Sequence, residues 1–352
     1  MYIVNCRFLT QRLTGAQRFA VNICLYLKEF SDDFIFVSPK KILHRDIAEK
    51  LEVIKVGFFS GYLWEQVELP LYLNKIGNPI LLNLVNLAPV FYKKNVITLL
   101  DIAWLHYPKS VSKKFYYIYK FIIPIIIKKS LHIFTISNFC LKDISSSFFV
   151  SKNKITKIYC GVNHFDCFVQ KKMDYKTENE KFILAVSSIQ PYKNINNLIE
   201  GMKILNKKIN IKLYLVGNKN NKVFNKVVIK EYDFVKYTGY VDDETLINYY
   251  KNAELFIFPS LFEGFGIPPL EAMSCGCPVL ASDLASIPEV CGDAAVYFDP
   301  YNIDDIADKI KTVIENEKLQ KDLINKGFEN IKRFSWEKSA KKIYKTIREI
   351  KL

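Results

Sequence analysis

Glu263 and Glu271 bracket the run Glu263-Gly264-Phe265-Gly266-Ile267-Pro268-Pro269-Leu270-Glu271, which follows the wholly apolar stretch Leu255–Phe258. Such a run reads as the loop between a buried strand and a helix. Glycines at 264 and 266 let backbone N–H groups approach a ligand, and a helix N-terminus favours an anion such as a diphosphate. Carboxylates beside an anion site accept hydrogen bonds from the vicinal hydroxyls of a ribose or a hexose. The loop therefore reads as a holder for a nucleotide at one end and a sugar at the other. Its helix is expected to begin near Pro269, with Glu271 in the first turn, and to end at Gly276. A plainer alternative stays open on the residues alone, namely a helix-capping Glu271 and a solvated Glu263, because the third glycine of the dinucleotide fingerprint is missing.

Other constellations are weaker. The eight cysteines, at 6, 24, 140, 160, 167, 275, 277 and 291, include no C-x-x-C pair. Cys275-Gly276-Cys277 lacks a second pair at zinc-site spacing, so reduced thiols and no bound metal are expected. There is no D-x-D triplet that could hold a divalent ion. Asp242-Asp243-Glu244 more simply starts a helix.

The elements that must position the loop repeat as strand, turn and helix. At roughly 100–200 residues per domain, 352 residues ask for two domains sharing a cleft. Tyr2–Val4 opens a strand, and Thr14-Gly15-Ala16-Gln17 has the form of a capping box before a helix that runs to about Phe30. Further strands are expected at Phe34–Val37, Ile80–Leu84, Val96–Leu100 and Ile133–Ile136, and their continuous apolarity suits a parallel sheet covered on both faces. Periodicity is lost in the charged stretch between about Asp166 and Lys181, which reads as a linker. The pattern restarts with strand Phe182–Val186, a helix with Ile195, Leu198, Ile199, Met202 and Leu205 on one face, strands Ile211–Val216, Val235–Thr238 and Leu255–Phe258, and strand Val279–Ala281. The expected division is 1–168, 176–334 and a closing helix in 335–352, capped at Ser335 and apolar at Trp336, Ala340, Ile343 and Ile347. The fold class is α/β, with two doubly wound Rossmann-like domains.

Composition narrows the partners. Half of the residues are hydrophobic and 24% are charged, which excludes a disordered or low-complexity scaffold. Residues 1–170 hold 22 Lys and Arg against 11 Asp and Glu, while 171–352 hold 28 against 25, so most of the net +14 lies in the first half. Its densest part runs from Lys109 through Lys113, Lys114 and Lys120 to Lys128 and Lys129, interleaved with aromatic and aliphatic residues. An amphipathic helix of this kind docks on an anionic membrane. Equally, Phe115, Ile118 and Ile122 would be the core face of an ordinary domain helix. No nucleic-acid partner is expected, since no binding motif accompanies the basic stretch. The apolar run Phe121–Ile127 is far too short to span a bilayer, and Arg7, Arg12 and Arg18 interrupt the first apolar stretch where a signal peptide would need continuity. A cytoplasmic protein, peripheral at the inner face of the cell membrane, is the expectation.

The run from Phe258 to Met273 strongly resembles the E-x7-E signature of the family 4 retaining glycosyltransferases, which have the two-domain GT-B fold. Gly276-Cys277-Pro278-Val279-Leu280-Ala281-Ser282, Ile287-Pro288-Glu289-Val290, Gly292-Asp293-Ala294-Ala295 and Phe298-Asp299-Pro300 continue the likeness. So do Gln190-Pro191-Tyr192-Lys193-Asn194, Gly239-Tyr240-Val241 and, near the start, Leu13-Thr14-Gly15-Ala16-Gln17-Arg18. The resemblance implies transfer of a sugar from a GDP- or UDP-linked donor to a glycan or lipid-linked glycan acceptor, in surface polysaccharide synthesis of the O-antigen or capsule kind. It implies retention of configuration, and neither a metal nor another cofactor. Glu271 would take the ribose hydroxyls, Glu263 the sugar ring and Lys193 the diphosphate. Gly15, Gly264, Phe265 and Gly266 would lie along the donor, and Tyr240 and Val241 would border the base. Where the family has His-Asp after an N-domain strand, this chain has Leu100-Asp101, which leaves Asp101 with Glu263 as the expected catalytic carboxylates and His106 close by in sequence. That departure keeps open a non-catalytic nucleotide- or glycan-binding relative, and the shared two-domain architecture keeps open a nucleotide-sugar epimerase.

Overall fold

Two parallel sheets carry the chain, seen in a computed structural model that describes residues 1–163, 180–217 and 232–350. Residues 166–179 of the expected linker lie outside the described residues. The first sheet contains β1 (Tyr2–Asn5), β2 (Phe34–Ser38), β3 (Ile54–Lys55), β4 (Ile80–Asn83), β5 (Asn95–Thr98), β6 (His132–Thr135) and β7 (Ile155–Lys157), in the order β3-β2-β1-β4-β5-β6-β7. The second contains β8 (Phe182–Val186), β9 (Lys212–Val216), β10 (Val235–Gly239), β11 (Leu255–Phe258), β12 (Val279–Ser282) and β13 (Val296–Phe298), ordered β10-β9-β8-β11-β12-β13. Each sheet has the reversal of strand order that defines a doubly wound fold, between β1 and β4 in the first and between β8 and β11 in the second.

Local sequence explains most elements. The central strands β4, β5 and β11 are buried at every position, as parallel strands covered on both faces must be. Helix Gly15–Phe30 starts where Gln17 reaches back, its side-chain oxygen accepting the Thr14 backbone N–H at 3.2 Å. Helix Asp243–Asn252 starts at Asp242, whose carboxylate accepts the Thr245 N–H at 2.8 Å; hydrogen bonding from the Thr245 side chain, together with this N–H, holds it below the usual carboxylate range.

Two expectations need correction. The strand expected at Val96–Leu100 ends at Thr98, because the Leu100 N–H turns away to Asn86 Oδ1 at 2.9 Å instead of joining the ladder. The Leu99 N–H still donates to the Phe134 carbonyl of β6 at 2.9 Å, and both leucines are buried. Helix Lys113–Lys129 buries Tyr119, Ile123, Ile126 and Ile127, while Phe115, Ile118 and Ile122 are only half-buried. Nearly every position from 115 to 127 is apolar or aromatic, so spacing could not select the face. Opposite the buried face, Tyr117, Phe121 and Ile125 are 55%, 68% and 41% exposed, alongside exposed lysines at 113, 114, 120, 128 and 129.

The chain divides into two compact units, one of residues 1–102, 117–161 and 335–352, the other of 103–116 and 162–334. In the first, the closing helix Trp336–Arg348 is capped by the Ser335 hydroxyl and lies against helix Gly15–Phe30. Trp336 is fully buried with its ring edge-on to Phe19 at 5.9 Å, and the Ser339 hydroxyl donates to the Tyr159 carbonyl at 2.6 Å. In the second, a core of aliphatic residues from β8, β9, β11 and helices Ile195–Leu205 and Ile303–Ile314 sits under one face of the sheet.

Candidate active site

The Glu263–Glu271 loop stands at the C-terminal end of β11, beside the reversal between β8 and β11, where doubly wound sheets open a crevice. Gly266 precedes the helix with φ +99°, a left-handed conformation that any side chain would strain. The helix runs Ile267–Ser274, beginning two residues before its expected start. Pro268 and Pro269 both fit in its first turn, where no N–H is needed. Glu271 is consequently the fifth helical residue, in the second turn and not the first, and it is turned inward to 5% exposure.

A buried carboxylate needs a donor. Tyr250, from helix Asp243–Asn252, supplies one, its hydroxyl donating to Glu271 Oε2 at 3.1 Å. Burial, reinforced by the nearby Glu271 charge, pushes the Tyr250 phenol well above its ordinary value, so it stays protonated and remains a donor. Sequence reasoning passed over Tyr250, although Leu246, Ile247 and Tyr250 share one face at helical spacing.

Lys193 comes from a different loop, the 3-10 turn Pro191–Lys193 after β8, and its ammonium lies 2.6 Å from Glu263 Oε1. Their side chains are only 15% and 13% exposed. The two loops are tied by the Leu261 N–H, which donates to the Tyr192 carbonyl at 2.8 Å. A second tie went unseen in the sequence: the buried Ser286 hydroxyl lies 2.9 Å from the carbonyl oxygens of both Glu263 and Phe265 and fixes the loop between them. Phe265 keeps its side chain in the core, edge-on to Phe334 at 5.5 Å. Gln190 is buried, with its Nε2 donating to Ser188 Oγ at 3.0 Å and its Oε1 without a partner among the described residues.

The second unit thus gathers Lys193, Glu263, Gly264, Phe265, Gly266 and Glu271 at the ends of two neighbouring strands. Tyr240, 71% exposed, and half-buried Val241 follow the edge strand β10. His106 and Tyr107 also belong to this unit. The His106 ring packs on Phe262 at 5.3 Å, next to Glu263 in sequence, and Tyr107 packs on Tyr192 at 5.4 Å, next to Lys193. Gly15 and Asp101 belong to the first unit. Gly15 is exposed, with open space where a side chain would be, and Leu100, at the position of the family histidine, is buried. Burial also pushes the Cys275 thiol up to about 12, so it is protonated near neutrality.

Known proteins share this fold. Residues 169–330 match the family described as "Glycosyl transferases group 1". An O-antigen chain mannosyltransferase of Salmonella typhimurium is 28% identical over 316 residues, covering 85% of this chain and 86% of the relative. An O-antigen chain mannosyltransferase B of Escherichia coli is 31% identical over 233 residues, 60% of each chain. Among solved structures, a glycosyltransferase from Rickettsia africae superposes with a TM-score of 0.74 at 17% identity, covering 99% and 98% of the two chains. An Anabaena protein solved with UDP and glucose gives 0.72 at 16%, covering 99% of each. The class so defined is a glycosyltransferase of GT-B fold.

Proposed function

We propose that this glycosyltransferase moves a hexose, mannose being the favoured class, from a nucleoside-diphosphate donor to a glycan or lipid-linked glycan acceptor of a bacterial surface polysaccharide. The reading is carried by the Lys193–Glu263 pair beside an uncapped helix N-terminus. A diphosphate takes Lys193 from Glu263, and the freed carboxylate turns to hydroxyls of the sugar. As the sugar–phosphate bond breaks, negative charge grows on the leaving oxygen, where Lys193 and the N–H groups of the first helical turn stabilise it. No step asks for a metal. Glu271, fixed by Tyr250, receives the ribose hydroxyls, while Tyr240 and Val241 border the base. The mannose assignment rests on the relatives, both mannosyltransferases of O-antigen chains.

The experiment is a donor screen. Purified protein is given GDP- and UDP-linked sugars with a lipid-linked glycan acceptor, and the products are read by NMR. Transfer with the anomeric configuration kept supports the reading, whereas isomerised donor marks an epimerase and binding without turnover a non-catalytic relative.

We also place the basic helix Lys113–Lys129 against an anionic membrane at the cytoplasmic face. Exposed Tyr117, Phe121 and Ile125 would enter the acyl boundary and the flanking lysines meet headgroups. Among the described residues no helix is long and apolar enough to cross a membrane. Flotation with anionic vesicles, released by moderate salt, is expected, and failure to float at low salt refutes the contact.

A further inference from the structure

Residues 103–116 stand in the sequence between two parts of the first unit but belong to the second. They form a short helix, Ala103–His106, and a 3-10 turn, Pro108–Ser110, with Trp104, Ser110 and Val111 buried. Trp104 packs edge-on against Tyr116 at 6.2 Å, so the segment carries its own anchor. Half-buried Tyr107, between the helix and the turn, meets the loops that follow β8, β11 and β13.

The loop after β8 contributes Tyr192, whose ring lies 5.4 Å from that of Tyr107 and 5.2 Å from the Lys193 ammonium. The loop after β11 contributes Phe262, edge-on to Tyr107 at 6.0 Å and next to Glu263 in sequence. From the loop after β13 comes Tyr301, whose side chain is hydrogen-bonded to the Tyr107 hydroxyl. Burial first, and Tyr301 after it, push the Tyr107 phenol above its ordinary value, so the hydroxyl keeps its proton. The loops after β8 and β13 are also joined directly, because the Asn194 and Asn197 side-chain amides donate to the Pro300 carbonyl at 2.7 and 3.1 Å. Asn194, directly after Lys193, is held by that bond in a left-handed conformation with φ +58°.

We propose that Tyr107 is a positioning residue of the donor site, setting the Lys193 ammonium against Glu263 at the separation a diphosphate needs to enter; the proposal rests on the glycosyltransferase reading above. A lysine carries its charge on a flexible four-carbon stem. The Tyr192 ring narrows that freedom, since a cation is drawn to an aromatic face. Tyr192 is itself only half-buried in a short turn, and Tyr107 is the neighbour that fixes its ring. Because the Tyr107 ring rests on Phe262 as well, one side chain sets the Lys193 turn and the Glu263 loop together. Tyr301 holds the Tyr107 ring in orientation. A cation fixed in this way stabilises the leaving oxygen without first having to be ordered.

The test measures the affinity of the full chain for UDP and GDP by isothermal titration, and for uridine and guanosine by ligand-observed NMR. Tyr107→Ala is expected to weaken the diphosphate that binds at least tenfold and to leave its nucleoside within twofold, because the nucleoside lacks the phosphates that Lys193 meets. Tyr107→Phe keeps both ring contacts and is expected to recover most of the loss. In a Lys193→Ala background, Tyr107→Ala is expected to cost less than twofold, since it acts through the lysine. Melting temperatures monitor the fold, and Tyr107→Leu repeats the test at a volume nearer the native one. Equal loss of diphosphate and nucleoside marks a merely structural role and overturns the proposal, as does undiminished diphosphate affinity or a tenfold loss that persists without Lys193. If Lys193→Ala alone leaves diphosphate affinity unchanged, the donor-site reading falls and the proposal with it. If Lys193→Ala weakens the diphosphate and Tyr107→Ala does not, only the positioning role falls.

Discussion

Lys193 and Glu263, seventy positions apart in the chain, form an ion pair at 2.6 Å with both side chains largely withdrawn from water. The two groups expected to hold different parts of a donor hold each other in its absence. The pair keeps two partly desolvated charges compensated, and in the proposed function a diphosphate takes the place of one partner.

Removing one member therefore costs more than losing a contact. Lys193→Ala strands the Glu263 carboxylate and removes the cation from the diphosphate, so kcat/KM is expected to fall by roughly 100- to 1,000-fold. Lys193→Arg is expected to recover part of the loss. Steady-state kinetics on the three proteins check this, and an alanine variant within threefold of wild type would remove Lys193 from the site.

Tyr250→Phe deletes the hydrogen bond to Glu271 and keeps the buried ring. A bond to a charged group contributes about 1.5–3 kcal/mol, so donor KM is expected to rise at least tenfold with kcat nearly unchanged. The split follows from the distance of Glu271 from bond cleavage in the proposed arrangement. Isothermal titration with the nucleoside diphosphate gives the same answer independently, and unaltered affinity contradicts the role given to Tyr250.

Gly266→Ala forces a side chain into φ +99° at the start of the loop's helix. The backbone conformation alone costs about 1–2 kcal/mol, because the nearest atom an added methyl would meet, a Phe258 ring carbon at 3.5 Å, is in ordinary contact. Thermal melting should show a modest loss of stability, and donor affinity should fall with it as the N–H groups of residues 266 and 267 move. Full affinity in a destabilised variant would separate the loop's conformation from binding.

His132 sets an acid limit on the first unit. Burial, with a smaller contribution from Lys154, lowers its pKa below the ordinary 6.5, and its ring nitrogen lies 2.8 Å from Thr156 Oγ1 across β6 and β7. The unfolded chain then binds the proton more readily than the folded one. The associated stability is complete above pH 6.5 and is lost as pH falls through the lowered folded value. Urea midpoints should drop between pH 7.5 and 5.5, and His132→Gln should flatten the slope. An unchanged slope would mean other groups govern it.

Much of this could be read along the chain. The strand Leu255–Phe258, the helix Ile195–Leu205 and the cap at Asp242 follow from apolar periodicity and turn chemistry, which act over a few residues. The spacing of Glu263 and Glu271 around two glycines marked out the loop proposed to hold the donor for the same reason. The inward turn of Glu271 was not legible, since either proline can open a helix and two residues of shift rotate every side chain behind it.

Only the tertiary structure decided which distant groups meet. Strand order brings Lys193 to Glu263, Tyr250 to Glu271, and Arg7 to Glu65, 58 residues away. Each partner is unremarkable in its own stretch, because a lysine in a turn or a tyrosine on an apolar helix face satisfies local rules whether or not a carboxylate awaits it. Helix Lys113–Lys129 shows the same limit: where nearly every position is apolar, the surrounding packing alone chooses the buried face. Periodicity records which residues leave water, and sheet topology records what they find when they do.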